Sequence, residues 1–242
     1  MIRVVVLMMV MLLSGCVNQS QSEIKITRSV VYVGSCKVII QQSQHASGQS
    51  FVHVHQNETT ALRAAQHIVE TKGGRLLTLI HPGQRNIVFQ QNHQRYEFDP
   101  NRMFTDAGIK KTLKSFGHYS PAAHKEVKKL ADEVKRLLPK GKIIAVHNNN
   151  DYSIKEYFPG NKLHKDAAAI NLVQQHFYRN FYLVTRPTEF KRLKALRFNA
   201  VLQAKQAMDD GSLSVYLAHR DYVNVEAGYG QLHAQINMLK WA

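Results

Sequence analysis

The segment Lys142-Ile-Ile-Ala-Val146, followed by His147, most constrains how this chain can fold. A continuous apolar run of this kind belongs to a strand covered on both faces, not one that alternates between core and water. Strand-like and helix-like segments alternate around it. Val30–Val33 and Val38–Gln42 read as a hairpin turning near Gly34, and Phe51–His55 alternates as a strand. Glu58–Thr71 carries apolar residues at helical spacing and stops at Gly73-Gly74. Leu76–Ile80 and Asn86–Gln90 read as strands separated by His81-Pro-Gly. Ser120-Pro121 is a helix start, and the segment to Leu138 keeps Ala123, Val127, Leu130, Val134 and Leu137 on one stripe. Phe181–Thr185, Asn199–Gln203, Ser212–Leu217 and Tyr222–Val225 read as further strands, and Gly230–Trp241 as a closing helix. This order predicts a three-layer α/β/α domain with a mixed, mostly parallel central sheet over residues 25–242.

Three of the strands run into residues that carry chemistry: His55 after Val54, His147 after Val146, and Glu226 after Val225. Open α/β sheets place their sites beyond the carboxyl ends of strands. In His55-Gln-Asn-Glu58 the two outer residues straddle a strand-to-helix junction, a spacing that lets both reach one ion. With His147 they make three protein ligands, which leaves a fourth zinc position open for water. His53 is an alternative to His55. Glu226 lies in an apolar strand, where a carboxylate needs a partner or a raised pKa, and it could take a proton from water. Arg95 and Arg102, in Arg-Tyr-Glu-Phe-Asp-Pro-Asn-Arg-Met-Phe104, could hold a carbonyl oxygen or a carboxylate. Plainer readings exist for each. Glu58 is a favourable helix-start acid, Arg95 could pair Glu97, and Asp99-Pro-Asn-Arg has turn composition. His147 could be an ordinary strand-end histidine. Tyr216, Tyr222 or Tyr229 could contact a substrate. The remaining histidines, His81 among them, are expected on surfaces or in turns.

The ordered set His-x-x-Glu, Arg95-Tyr, Asp99-x-Asn101-Arg102-x-Phe104, His147 and Glu226 resembles the zinc metallocarboxypeptidase clan. It is most similar to its succinylglutamate desuccinylase/aspartoacylase branch. The resemblance covers roughly residues 50–230. It implies that His55, Glu58 and His147 bind Zn²⁺, that Arg95 polarises the scissile carbonyl, that Asn101 and Arg102 grip a substrate carboxylate, and that Glu226 is the general base. Pro100 and Asn148-Asn149-Asn150 depart from the family's pattern, and no C-terminal β-domain like that of the desuccinylases is evident.

The amino terminus adds a location. Met1-Ile-Arg3, the apolar Val4–Leu13 and Leu13-Ser-Gly-Cys16 have the layout of a signal peptide, and the last four residues resemble a bacterial lipobox. Residues 1–15 are then a lipoprotein signal peptide, Cys16 the lipidated residue and 16–24 a tether. The apolar run is too short to span a bilayer, which takes ~20 residues. Val17 after the cysteine favours the outer membrane, facing the periplasm. An acylated Cys16 leaves Cys36 without an intrachain partner; its apolar surroundings predict a buried, inert thiol. The net charge of +15 suits polyanions or anionic surfaces, and the envelope location argues against nucleic acid. The expectation is an envelope-anchored zinc amide hydrolase acting on a peptide or N-acyl amino acid with a free carboxylate, such as peptidoglycan stem peptides. The alternative is a non-catalytic metal- or peptide-binding lipoprotein.

Overall fold

The computed structural model describes residues 23–242; the expected signal peptide and lipidation at Cys16 fall outside them. The elements are β1 (Lys25–Val33), β2 (Cys36–His45), β3 (Gln49–His53), α1 (Thr59–Lys72), β4 (Gly74–Ile80), β5 (Ile87–Gln91), β6 (Gln94–Phe98), α2 (Asp106–Ser115), α3 (Pro121–Leu137), β7 (Ile143–Asn149), β8 (Ala167–Asn171), β9 (Phe181–Val184), α4 (Pro187–Ala195), β10 (Ala200–Gln203), α5 (Leu213–Tyr216), β11 (Tyr222–Gly228) and α6 (Leu232–Lys240). Nine strands form one mixed sheet in the order β1-β2-β4-β3-β7-β11-β9-β10-β8, and β5 and β6 form a separate hairpin. The central four, β4-β3-β7-β11, run parallel, so their carboxyl ends share one edge; the strand pairs β1·β2, β2·β4, β11·β9 and β10·β8 are antiparallel.

Helices cover both faces, giving the three-layer α/β/α arrangement. α1, α4 and α6 pack on one side through Ala61, Ala65, Ile68, Phe190, Leu193, Met238 and Leu239 against Phe51, Ile144, Val146, Val223 and Val225. α2, α3 and the β5–β6 hairpin cover the other through Ile109, Leu113, Val127, Leu130, Val134, Phe89 and Phe98 against Val52, Leu77, Leu79, Ile143 and Ala145. β7 is buried along its whole length, as its unbroken apolar run requires. α3 starts as its sequence predicts, with Ser120 Oγ accepting from Ala123 N at 3.1 Å and Pro121 in the first turn. The β1–β2 turn needs Gly34: its φ is +52°, and a Cβ there would overlap Gln90 O. Cys36 is buried, and burial pushes its thiol pKa up.

Two local expectations differ. Ser212–Leu217 is one helical turn, α5, not a strand: Ser212 Oγ accepts from Val215 N at 3.4 Å as an N-cap, and Asn101 Oδ1 takes Leu213 N at 3.1 Å. β3 leaves the ladder at His53, because Glu58 N donates back to His55 O at 3.0 Å and turns the chain into α1. No described helix is long and apolar enough to cross a membrane.

Candidate metal centre

The turn after β3 brings His55 and Glu58 together. With strand period 2, Phe51 and His53 share the face under α1. His53 is fully buried there, with Nε2 on Glu58 O at 3.1 Å. Burial pushes its pKa down to about 4, so it stays neutral. His53 therefore supports the turn rather than joining the carboxylate. His55, past the strand end, turns toward β7. Its Nδ1 lies 2.9 Å from Glu58 Oε1 and 3.2 Å from His147 Nδ1, and His147 Nδ1 is 2.9 Å from Glu58 Oε2. One ligand atom from each of the three lies within 4.8 Å of the others, and all three side chains are buried. Tetrahedral zinc with bonds of ~2.0–2.1 Å has ligand–ligand edges of roughly 3.3–3.4 Å, so the observed separations fit such an ion with small adjustments.

Electrostatics point the same way. Burial alone would lower the pKa of His55, but the carboxylates of Glu58 and Asp99 push it up to about 9. Glu58 is held well below the usual carboxylate range: burial opposes this, and His55 and His147 outweigh it. The protonated imidazole thus does what a bound cation would do, neutralising carboxylates out of contact with water. His55 Nε2 meets Asp99 Oδ1 at 2.6 Å, the carboxylate–histidine arrangement that orients metal ligands. Asp99 Oδ1 also accepts from Asn101 N at 2.7 Å, tying this support to the turn Pro100–Arg102. Among the described residues, eight buried side-chain atoms lack partners; His53 Nδ1, Asn57 Oδ1, Asn149 Oδ1 and Asn224 Oδ1 lie within two residues of a member of the trio or of Glu226, and His81 Nε2 lies just past β4, while Thr78 Oγ1, His124 Nδ1 and Arg179 Nε make up the rest. Such atoms concentrate where a ligand, ion or water completes a site. The donor set, its spacing and its charge fit a divalent metal.

Glu226 stands beside the trio. It pairs in register with His147, and period 2 puts both on the face that also carries Asn149 and Asn224. Its carboxylate is 6% exposed and accepts from Asn149 Nδ2 at 3.0 Å and Asn224 Nδ2 at 3.1 Å. The Asn148-Asn149-Asn150 tract is thereby explained. Asn149 serves Glu226. Asn148, on the opposite face, accepts from Ala61 N at 2.7 Å, satisfying an otherwise orphaned N–H of α1, and donates to Gln235 Oε1 at 2.8 Å. Asn150 O accepts from Arg179. Tyr222 is buried in the core, whereas Tyr216 and Tyr229 are partly exposed. The phenols of half-buried Tyr152 and buried Tyr157 bond each other near Glu226, and burial first, with neighbouring charges, pushes both pKa values up.

The arginines divide. Arg95 is not brought to the trio. Tyr96 and Phe98 face the core, so the alternate residues Arg95 and Glu97 point outward; their side chains pair at 2.7 Å, with Arg95 57% exposed. Arg85, in the loop between β4 and β5, stands there instead, pairing with Glu58 Oε1 and lying 3.5 Å from Asp99 Oδ2. Nothing in its sequence neighbourhood marks it. Asp99 could have been found by asking what orients His55. Arg102 donates to Asn101 O at 2.9 Å and lies 3.5 Å from Asp210. Asn101 uses its Oδ1 on Leu213 N, which leaves Nδ2 for a ligand. His81, expected at a surface or in a turn, lies just past β4 but is buried; burial, then the charge of His55, lowers its pKa to about 4.

No family model matches the chain, and no curated protein sequence matches it. Among solved structures it is similar to an aspartoacylase family protein from Mesorhizobium loti. The TM-score is 0.45 and the identity 12%; the match covers 92% of this chain and 66% of that protein.

Proposed function

We propose that the chain is a zinc-dependent amide hydrolase of the carboxypeptidase or deacylase kind, acting on a substrate with a free carboxylate. The carrying observation is the convergence of His55 Nδ1, His147 Nδ1 and both Glu58 oxygens on one buried point, with Glu226 next to His147. His55, Glu58 and His147 would hold Zn²⁺, which when bound lowers the pKa of water toward ~7 and polarises a carbonyl. Asp99 holds the His55 ring so that Nδ1 faces the site. Glu226 takes a proton from the attacking water and returns it to the leaving amine. Two asparagine donors, Asn149 Nδ2 and Asn224 Nδ2, hold its carboxylate in place. Arg85 takes the carbonyl-polarising role that the family resemblance assigns to Arg95. Asn101 Nδ2 and the planar fork of Arg102 receive the substrate carboxylate.

The same reading keeps the envelope setting: a lipid on Cys16, the outer membrane facing the periplasm, and peptidoglycan stem peptides as substrate. Muropeptides that pass through a digestion with unchanged masses would remove that substrate. The central test is metal content by mass spectrometry. About one zinc per chain is expected, lost in both His55→Ala and His147→Ala. Turnover should fall ~10²–10⁴-fold in Glu226→Gln. No bound zinc after reconstitution would sink the proposal, and zinc with no Glu226-dependent turnover would leave a binding protein.

A further inference from the structure

We propose that Asp210 turns the Arg102 carboxylate site into a clamp for a whole α-amino acid head group, ammonium and carboxylate together. This rests on the hydrolase reading and names its substrate class. The Asp210 Oδ1 atom is committed to Ser212 N at 2.9 Å, while Oδ2 lies 3.5 Å from Arg102 Nη2. The two side chains are 34% and 38% exposed, open enough for a ligand to reach both. The loop that presents Asp210 is built onto the segment that presents Arg102. Asp209 Oδ1 accepts from Thr105 Oγ1 at 2.8 Å and from Gly211 N at 3.0 Å. Phe104 N donates to Gly211 O at 2.9 Å, and the Gly211 and Gly108 backbones pack so closely that a Cβ on either would overlap the other. Asn101 Oδ1 holds Leu213 N on the far side of Asp210. Arg102 also sits in the turn tied to the metal centre: Asp99 Oδ1 accepts from the adjacent Asn101 N at 2.7 Å and meets His55 Nε2 at 2.6 Å.

A bare carboxylate gains nothing from an acid beside its arginine; like-charge repulsion disfavours it. A ligand with an ammonium next to its carboxylate satisfies both charges at once. In an α-amino acid these groups are separated by one carbon, which matches a guanidinium and a carboxylate in contact. A side-chain ammonium several bonds away does not. If the head group's own amine is free in the clamp, the scissile amide must lie further along the residue. The substrate class is an α-amino acid acylated on its side-chain nitrogen, or one whose side-chain carboxyl forms the amide.

The test is binding of small probes to the zinc-loaded protein by calorimetry: norleucine, which has both charges, against Nα-acetylnorleucine, which keeps only the carboxylate. The expected result is tighter binding of norleucine by about tenfold or more, falling to within about threefold in Asp210→Asn. Asparagine keeps an acceptor for Ser212 N, so the loop should fold; an unchanged melting temperature checks this. Equal binding of the two probes by the unaltered protein overturns the proposal, as does binding of neither. An equal loss of both in Asp210→Asn also overturns it, because Asp210 would then only position Arg102. Zinc content and Glu226-dependent turnover on the same preparation report on the hydrolase reading separately.

Discussion

Asp99 is the sharpest test of the metal centre, because its role follows from one contact and the effect can be sized. Its Oδ1 meets His55 Nε2 at 2.6 Å, with the histidine fully buried and the aspartate side chain 13% exposed. Asp99→Asn keeps an oxygen able to accept from both His55 and Asn101 N but removes the charge. A hydrogen bond to a charged group contributes ~1.5–3 kcal/mol and a neutral one ~0.5–1.5 kcal/mol. The difference is about 1–1.5 kcal/mol, or roughly tenfold in zinc affinity. Asp99→Ala goes further, freeing the His55 ring and leaving Asn101 N without its acceptor. That variant should reach the upper end of the 10–100-fold range for loss of a supporting carboxylate. Competition titration against a chromophoric chelator gives the zinc affinities, and melting of the metal-free proteins shows whether each variant folds. Asp99→Asn with zinc affinity within about twofold of the unaltered protein would refute the argument that this carboxylate tunes the ligand. So would an alanine variant no weaker than the asparagine one.

Arg85→Ala should lower kcat by ~10²–10³-fold with zinc still bound, while Arg95→Ala stays within about twofold because that guanidinium only pairs an outward-facing Glu97; steady-state kinetics on both variants decides between the arginines. Gly211→Ala should destabilise the protein by at least ~1–3 kcal/mol, because φ is +79° and the new Cβ overlaps Gly108 and Arg102 O; urea unfolding measures it, and no shift in midpoint would contradict the packing. Cys36, buried with its pKa pushed up, should resist iodoacetamide at pH 8 in the folded protein and react on unfolding, as mass spectrometry would show.

The layered α/β architecture was readable because strand and helix periods are local properties of the chain. The run before His147 already required cover on both faces, and the Ser120-Pro121 start of α3 needed no distant partner. The same local logic placed His55, His147 and Glu226 at strand ends, and the structure brings His55, Glu58 and His147 together and sets Glu226 beside His147. The one-turn α5 was not readable: Leu-Ser-Val-Tyr alternates like a strand, and one of the contacts that holds its first turn, Asn101 Oδ1 on Leu213 N, comes from far away in sequence. The choice between His53 and His55 turned on where β3 leaves the ladder, and that is decided by the backbone bond from Glu58 to His55. Arg95 and Arg85 show the division most clearly. A sequence motif carries residue type and spacing but not the face of a strand, so Arg95 could stand in the right order and still point to water. Arg85 comes from a loop with no signature and reaches Glu58 and Asp99 only because β4 lies beside β3. Sequence by itself determined the period of each element and the residues able to do chemistry; strand order and register decided which of them meet, because those depend on contacts between segments far apart in the chain.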